Sequence, residues 1–267
     1  MPQDTFIIML PPRQLPALQG WRATPAHLAY RLGPGPHLFR ADSVTLPKGG
    51  LMVVDDRDFD GLGPTGPLCQ EILRECQVRG FSGAVLDFEG RLPPLEQIAG
   101  QLDEQFARRG WSLFVSERYG TRAPHSRVMI PSALSGGSLQ RRLEEALERF
   151  GESRVALALE KRAEDFFLPS PTGSGQALTQ GELEALKARL SPSVFFSGEL
   201  CARYFTYMSK ESGAHFVLFD DGDTLRRKVE VARRLSVYTF LAPWAEVAPH
   251  AAQLGIQRRQ EQRPVRR

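Results

Sequence analysis

Along most of this chain, short apolar runs alternate with stretches whose apolar residues recur every three or four positions. Leu51-Met52-Val53-Val54 reads as a strand that ends in Asp55-Asp56. Leu68, Ile72, Leu73 and Cys76 then recur at helical spacing up to Gly80, a natural stop. Phe81 to Glu89 is the next strand, and Pro93-Pro94 opens a helix with Leu95, Ile98, Ala99, Leu102 and Phe106 on one face. Gly110 stops that helix before the strand Trp111 to Val115. Arg127 to Ile130 is strand-like. Ser138 starts a helix carrying Leu139, Leu143, Ala146, Leu147 and Phe150, and Val155 to Leu159 is a strand that ends at Glu160-Lys161. Strand-then-helix units at this spacing predict right-handed crossovers and a parallel sheet.

The flanks are less regular. Thr5 to Leu10 reads as a first strand, apolar enough to be buried on both faces. Residues 11–36 are rich in Pro and Gly and hold only the short strand candidate His27 to Arg31, with His37 to Arg40 as another. Arg162 to Gln180 reads as a loop heavy in Ser, Pro and Gly. Thr179 and Glu182 then form a capping-box start for a helix with Leu183, Leu186 and Leu190. Ala202 to Tyr207 and His215 to Phe219 pair as a hairpin around Ser212-Gly213. Asp223 is the expected cap of a helix with Leu225, Val229, Ala232 and Leu235 inward, and Val237 to Ala242 is the last strand, followed by Pro243-Trp244.

Charge changes the picture only at one end. The formal charge of the 267 residues is +3, but Arg258 to Arg267 contribute five Arg and one Glu, leaving 29 basic against 30 acidic residues elsewhere. A near-neutral body argues against nucleic acid as a partner. The apolar run Phe6 to Leu10 is too short for a membrane span or the core of an export signal, and Pro11-Pro12 ends it. The three Cys, 69, 76 and 201, are odd in number and lack zinc-type spacing, which suits a reducing compartment. The expectation is a soluble, cytoplasmic protein with no export signal and no membrane partner.

Candidate chemistry concentrates in Phe81-Ser82-Gly83-Ala84-Val85-Leu86-Asp87-Phe88-Glu89-Gly90. Residues i and i+2 of a strand share a face, so Asp87 and Glu89 lie on the side of Val85. This segment resembles the fourth strand of the chitinase-like glycoside hydrolases of family 18, whose signature reads D-G-x-D-x-D-x-E. It is nearest the spore-cortex-lytic branch. Gly83, Asp87 and Glu89 match the signature, while Ser82 and Val85 stand where its first two Asp would be. A second stretch, Tyr204-Phe205-Thr206-Tyr207 through Val217-Leu218-Phe219-Asp220-Asp221-Gly222-Asp223, resembles the same branch and comes in the family's order.

The resemblance covers roughly residues 49–247 and implies a (β/α)8 TIM-type barrel, here abbreviated at the N-terminal end. Residues 1–257 would form that single barrel domain and 258–267 a basic, disordered tail. It also implies substrate-assisted cleavage of an N-acetylglucosamine-containing glycan, such as peptidoglycan, spore cortex or chitin. Glu89 would be the proton donor, and Asp87 would orient the acetamido group and stabilise positive charge on the ring. Two carboxylates this close resist ionising together, which favours a protonated Glu89. Asp55 and Asp56, following a barrel strand, and Tyr119 and Trp244, placed to stack on sugar rings, are the candidate substrate-binding residues.

Active relatives end the sixth strand in M-x-Y-D, whereas Val128 to Leu134 has Ala133 and Leu134 where Tyr and Asp would fall. The family's Trp on the last strand aligns with Pro243, with Trp244 one residue late. Each lost contact worth ~1.4 kcal/mol in the transition state costs about tenfold in rate. An inactive barrel that binds glycan or a protein partner is therefore the competing reading. No cofactor or metal is expected. Asp56-Arg57-Asp58-Phe59-Asp60-Gly61 opens like a calcium loop but has Pro67 at its twelfth position instead of Glu, and the five His are scattered. Ser135-Gly136-Gly137-Ser138 lacks the Lys of a phosphate loop.

Overall fold

The structure, a computed structural model, describes residues 3–40, 48–169, 173 and 175–259. Eight parallel strands close into a barrel: Thr5–Leu10, Thr24–Gly33, Leu51–Asp55, Gly83–Asp87, Ser112–Ser116, Arg127–Pro131, Val155–Ala158 and Thr239–Pro243. Strand eight pairs with strand one from Thr5↔Thr239 to Met9↔Pro243, and strand one pairs with strand two from Ile7↔Thr24 to Leu10↔His27, which completes the ring.

Alternation along the strands explains the closure. Ile7, Leu51, Val53, Val85, Phe114, Met129, Ala156 and Leu241 pack together inside the ring. Their neighbours Ile8, Met52, Val54, Leu86, Val115, Ile130 and Leu157 join the layer that faces the helices. A strand apolar on both faces is what a doubly covered parallel sheet requires. Each fully buried Val or Leu stabilises the fold by roughly 1.5–3 kcal/mol, so both layers matter. Gly83 is forced by packing: a Cβ there would sit 2.0 Å from the Ser112 carbonyl oxygen of the adjoining strand.

Helices α1 (Thr65–Arg79), α2 (Pro93–Arg109) and α3 (Leu139–Phe150) follow strands three, four and six. Gly80 and Gly110 stop α1 and α2 in the left-handed conformation, as their positions predict. The abbreviation lies where the sequence loses its period. Strand one is followed by a 3-10 turn over Pro12–Leu18, and strand two by the antiparallel strand His37–Arg40, with no α-helix among the described residues of either connection.

Between strands seven and eight the chain builds a second, antiparallel sheet of five strands. Its members are Ala163–Leu168, Gln176–Ala177, Phe195–Ser197, Ala202–Ser209 and Gly213–Phe219. The last two are the hairpin expected from the sequence. Ala163–Leu168, however, belongs to a stretch that reads as loop, and it pairs with Gly213–Phe219 inside the sheet. Phe166 and Phe167 put one aromatic side chain on each face, which suits a strand once that partner is in place. Helix α4 (Gln180–Leu190) starts with the expected capping box of Thr179 and Glu182 and packs Leu183 against Phe205, Val217 and Phe219. Helix α5 (Gly222–Arg234) is capped by Asp221, which accepts from the Thr224 N–H at 2.9 Å; Asp223, the expected cap, sits inside its first turn.

The basic C-terminal segment begins tied down rather than free. The Arg259 N–H donates to the Gly20 carbonyl at 2.7 Å, and the Arg258 guanidinium lies 4.6 Å from the Trp21 ring centroid. Residues 260–267 of the expected tail lie outside the described residues. No helix among the described residues is long and apolar enough to cross a membrane.

Candidate active site

Strand direction puts the C-terminal ends of all eight barrel strands at one mouth, where the chemistry of such barrels sits. Asp55 and Asp87 end strands three and four as paired neighbours in register. Each lies two residues beyond an interior side chain, Val53 and Val85, so both carboxylates are directed to the inside of the ring. Both are half-buried, and Glu89, two residues further on, is exposed. Val85, where the signature has an acid, is fully buried in the interior cluster and adds no charge.

Asp56 has a different task. It is buried, and its Oδ1 accepts the Glu89 N–H at 3.0 Å while its Oδ2 accepts the Gly90 N–H at 2.9 Å. Gly90 permits this, since a Cβ there would lie 2.5 Å from Oδ2. Asp56 therefore fixes the backbone that carries Glu89, and it is not free to hold a sugar. Asp55 pairs with Arg57 Nη2 at 2.7 Å.

Two further carboxylates converge on the mouth, and sequence reasoning did not select them. Glu160 follows Ala158, the last interior residue of strand seven, by two positions, the same relation that Glu89 has to Asp87. That spacing was the available signal. Its N–H donates to Ser132 Oγ at 3.2 Å. Glu246, after strand eight, accepts the Lys161 N–H at 2.6 Å. No spacing rule would have found Glu246, because it lies in the short helix after the strand.

The electrostatics follow from this convergence. Burial pushes the Asp87 carboxyl up, and the charges of Glu89, Asp55 and Asp56 push it further, with Arg57 opposing. Glu160 opens to solvent on one side but is crowded by protein on the others. That crowding raises its carboxyl, and Glu246 and Asp87 add to the rise. Glu246 is raised mainly by burial, against the Lys161 N–H bond and charge. The carboxylate repulsion expected from the sequence is thus felt at Asp87, where burial adds to it.

Tyr119 and Trp244 do not reach the mouth. Tyr119 is fully buried, packs edge-on against Phe88 at 6.0 Å and donates its hydroxyl to the Gly90 carbonyl at 2.7 Å. Trp244 is buried between barrel and outer layer, 6.0 Å from Trp21. Both were expected to stack on sugar, and neither has an open ring face to offer. For Trp244 the one-residue offset decides: Pro243 takes the position two beyond the interior Leu241, and the ring turns outward.

Strand six shows the same loss. It ends at Pro131, two residues beyond the interior Met129, so Pro131 rather than Ala133 occupies its lip. Ser132 accepts from Glu160, and the Ala133 carbonyl accepts from Arg162 Nη2 at 3.0 Å. No hydroxyl or carboxyl from this strand is left for substrate. A cavity of about 750 Å³ lies at the opposite end of the barrel, lined by Asp4, Phe6, Arg22, Arg233, Tyr238 and Gln257. Arg233 there is already tied to Asp4 and to the Leu254 carbonyl, as befits the stabilising end of such a barrel.

No family model and no curated protein sequence matches this chain. Solved structures do. A chitinase from Chromobacterium violaceum superposes with TM-score 0.68 at 15% identity, over 94% of this chain and 98% of that one. The Bacillus cereus spore cortex-lytic enzyme SleL gives TM-score 0.68 at 13% identity, over 94% and 73%. This chain shares their fold. A mutant class V chitinase from Nicotiana tobaccum in complex with NAG4 gives TM-score 0.63 at 10% identity, over 95% and 99%. At these identities the likeness is one of chitinase-like architecture, and chemistry has to be argued from the residues at the mouth.

Proposed function

We propose that the barrel mouth cleaves an N-acetylglucosamine-containing glycan, cortex peptidoglycan or a chitin-like polymer, by substrate-assisted acid catalysis. The observation that carries this reading is the inward-facing, raised Asp87 with Glu89 two residues beyond it on a loop fixed by Asp56. In the proposed reaction the sugar's acetamido oxygen attacks the anomeric carbon as Glu89 protonates the leaving oxygen. Asp87 orients the acetamido N–H and stabilises the positive charge that develops. Water then attacks the anomeric carbon, giving a proton back to Glu89. Cortex as substrate would place the protein at the spore.

The lip of strand six supports a second reading, a barrel that binds glycan without cleaving it. Pro131 and Ser132 offer nothing to hold the acetamido oxygen, and Trp244 is turned away, so turnover is expected to be weak. The deciding experiment measures release of reducing ends from chitin oligomers and cortex fragments by wild type, Glu89→Gln and Asp87→Asn, with binding followed by calorimetry. Cleavage that survives Glu89→Gln refutes the mechanism. Binding by all three proteins without cleavage establishes the inactive barrel.

A further inference from the structure

The inserted sheet holds a second constellation that the barrel chemistry does not use. Tyr207, His215 and Phe167 lie abreast on three adjoining strands, and the His215 ring lies between the other two, stacked on Tyr207 and tilted by 52° against Phe167. Its centroid is 4.3 Å from that of Tyr207 and 4.5 Å from that of Phe167. His215 is buried, and its Nδ1 lies 2.9 and 3.0 Å from the two oxygens of buried Asp165. An ionised carboxylate only accepts, so Nδ1 carries a ring proton, and in the neutral imidazole Nε2 is then the acceptor. Ser212 Oγ stands 2.7 Å from that Nε2. Tyr207 donates its hydroxyl to Asp165 Oδ2 at 2.7 Å and stays protonated, its phenol pushed up to about 12 by burial and by Asp165.

The order from inside outward is carboxylate, imidazole, hydroxyl, and only the hydroxyl is exposed. A buried acid that fixes the tautomer of a base, which in turn holds a solvent-facing hydroxyl, is the arrangement that activates serine as a nucleophile. We propose that Ser212, His215 and Asp165 form an acyl-transfer site, distinct from the barrel mouth, that hydrolyses carboxylic esters with a short acyl group. Ser212 Oγ attacks the ester carbonyl carbon and its proton passes to His215 Nε2. The bond to the alcohol oxygen breaks, and the alcohol leaves with that proton. Water then attacks the acyl group on Ser212, giving a proton to Nε2. Release of the carboxylic acid returns that proton to Ser212 Oγ.

The turn supplies donors for the carbonyl oxygen. The N–H groups of Glu211 and Ser212 are held only by long contacts to Ser209 Oγ, 3.3 and 3.4 Å, which an oxyanion would displace. Phe167, 44% exposed beside the imidazole, offers an apolar landing for an acyl chain. Ser212 stands exposed at the tip of the hairpin turn, which suits a short acyl group.

The test uses the full chain with a fluorophosphonate probe and, separately, p-nitrophenyl acetate. The wild type should gain one phosphonyl adduct, mapped by mass spectrometry to Ser212. It should also release nitrophenol at least ~10²-fold faster than Ser212→Ala, the contribution expected of a positioned base. Asp165→Asn should lose both signals. Adduct mapping on the wild type needs no variant to fold. An adduct elsewhere, no adduct, or equal nitrophenol release by Ser212→Ala overturns the proposal.

Discussion

Two carboxylate environments in this molecule differ in a way that separates chemistry from stability. Asp220, at the junction of the inserted sheet and α5, is buried, and three donors hold its carboxylate. Lys228 Nζ donates to Oδ2 at 2.7 Å, the Arg162 N–H donates to the same oxygen at 2.9 Å, and Thr224 Oγ1 donates to Oδ1 at 2.8 Å. Asp87 at the mouth is less buried, yet its nearest charged company is mostly acidic. At the junction both carboxylate oxygens are taken up by donors. At the mouth the carboxylates are left to compete for protons, which is the condition a proton-transferring site requires.

The sharpest way to break this comparison is to neutralise one acid at the mouth. Glu89→Gln should lower turnover by ~10²–10⁴-fold, the cost of losing a general acid, with little change in the denaturation midpoint. A parallel collapse of stability would mean that Glu89 belongs with Asp220 as a structural group. The opposite manipulation addresses the junction. Lys228 and Asp220 each have side chains 1% exposed, so Lys228→Met strands a buried carboxylate and should cost about 3–5 kcal/mol in urea unfolding. A loss below ~1 kcal/mol would show that water reaches Asp220.

Asp56 lies between the two environments, being buried like Asp220 but placed at the mouth. Asp56→Ala removes two charge-assisted bonds to the Glu89 and Gly90 N–H groups and should cost about 1.5–3 kcal/mol. Turnover should fall as well, because the loop carrying Glu89 loses its anchor. Unchanged stability would return Asp56 to the role of a sugar ligand.

These contrasts also explain what was legible in the sequence. Strands three to eight were readable because each is a short apolar run bounded by helical spacing or Gly. Asp87 and Glu89 were readable because a period of two needs no tertiary information. Ala163–Leu168 was hidden, since its strand character depends on partners that come some fifty residues later, as His215↔Phe167 shows. Tyr119 and Trp244 failed for a related reason. Sequence places them after strands, but which side of the barrel wall a ring takes is set by a single residue of offset. The Ser212–His215 contact is local, three residues apart, yet Asp165 completes it from a strand that reads as loop.

The smallest expected effect is a pH dependence of stability that arises at the mouth. The Glu160 carboxyl is raised above its ordinary 4.5 in the folded protein, so the native state binds protons more tightly than the unfolded chain. Well below pH 4.5 both states are protonated, and Glu160 costs nothing. As pH rises through the raised value the native state must ionise a carboxyl crowded by Glu246 and Asp87, and stability falls. Glu160→Gln removes that penalty. The variant should melt slightly above the wild type at pH 7, and the difference should vanish on acidification below the ordinary glutamate range. Asp87→Asn should behave alike for the same reason, since its carboxyl is raised too. Paired melting curves across pH 3–8 read the effect directly. If Glu160→Gln instead melts lower at pH 7, the carboxylate is partnered as Asp220 is, and the mouth is not the proton-competing site described above.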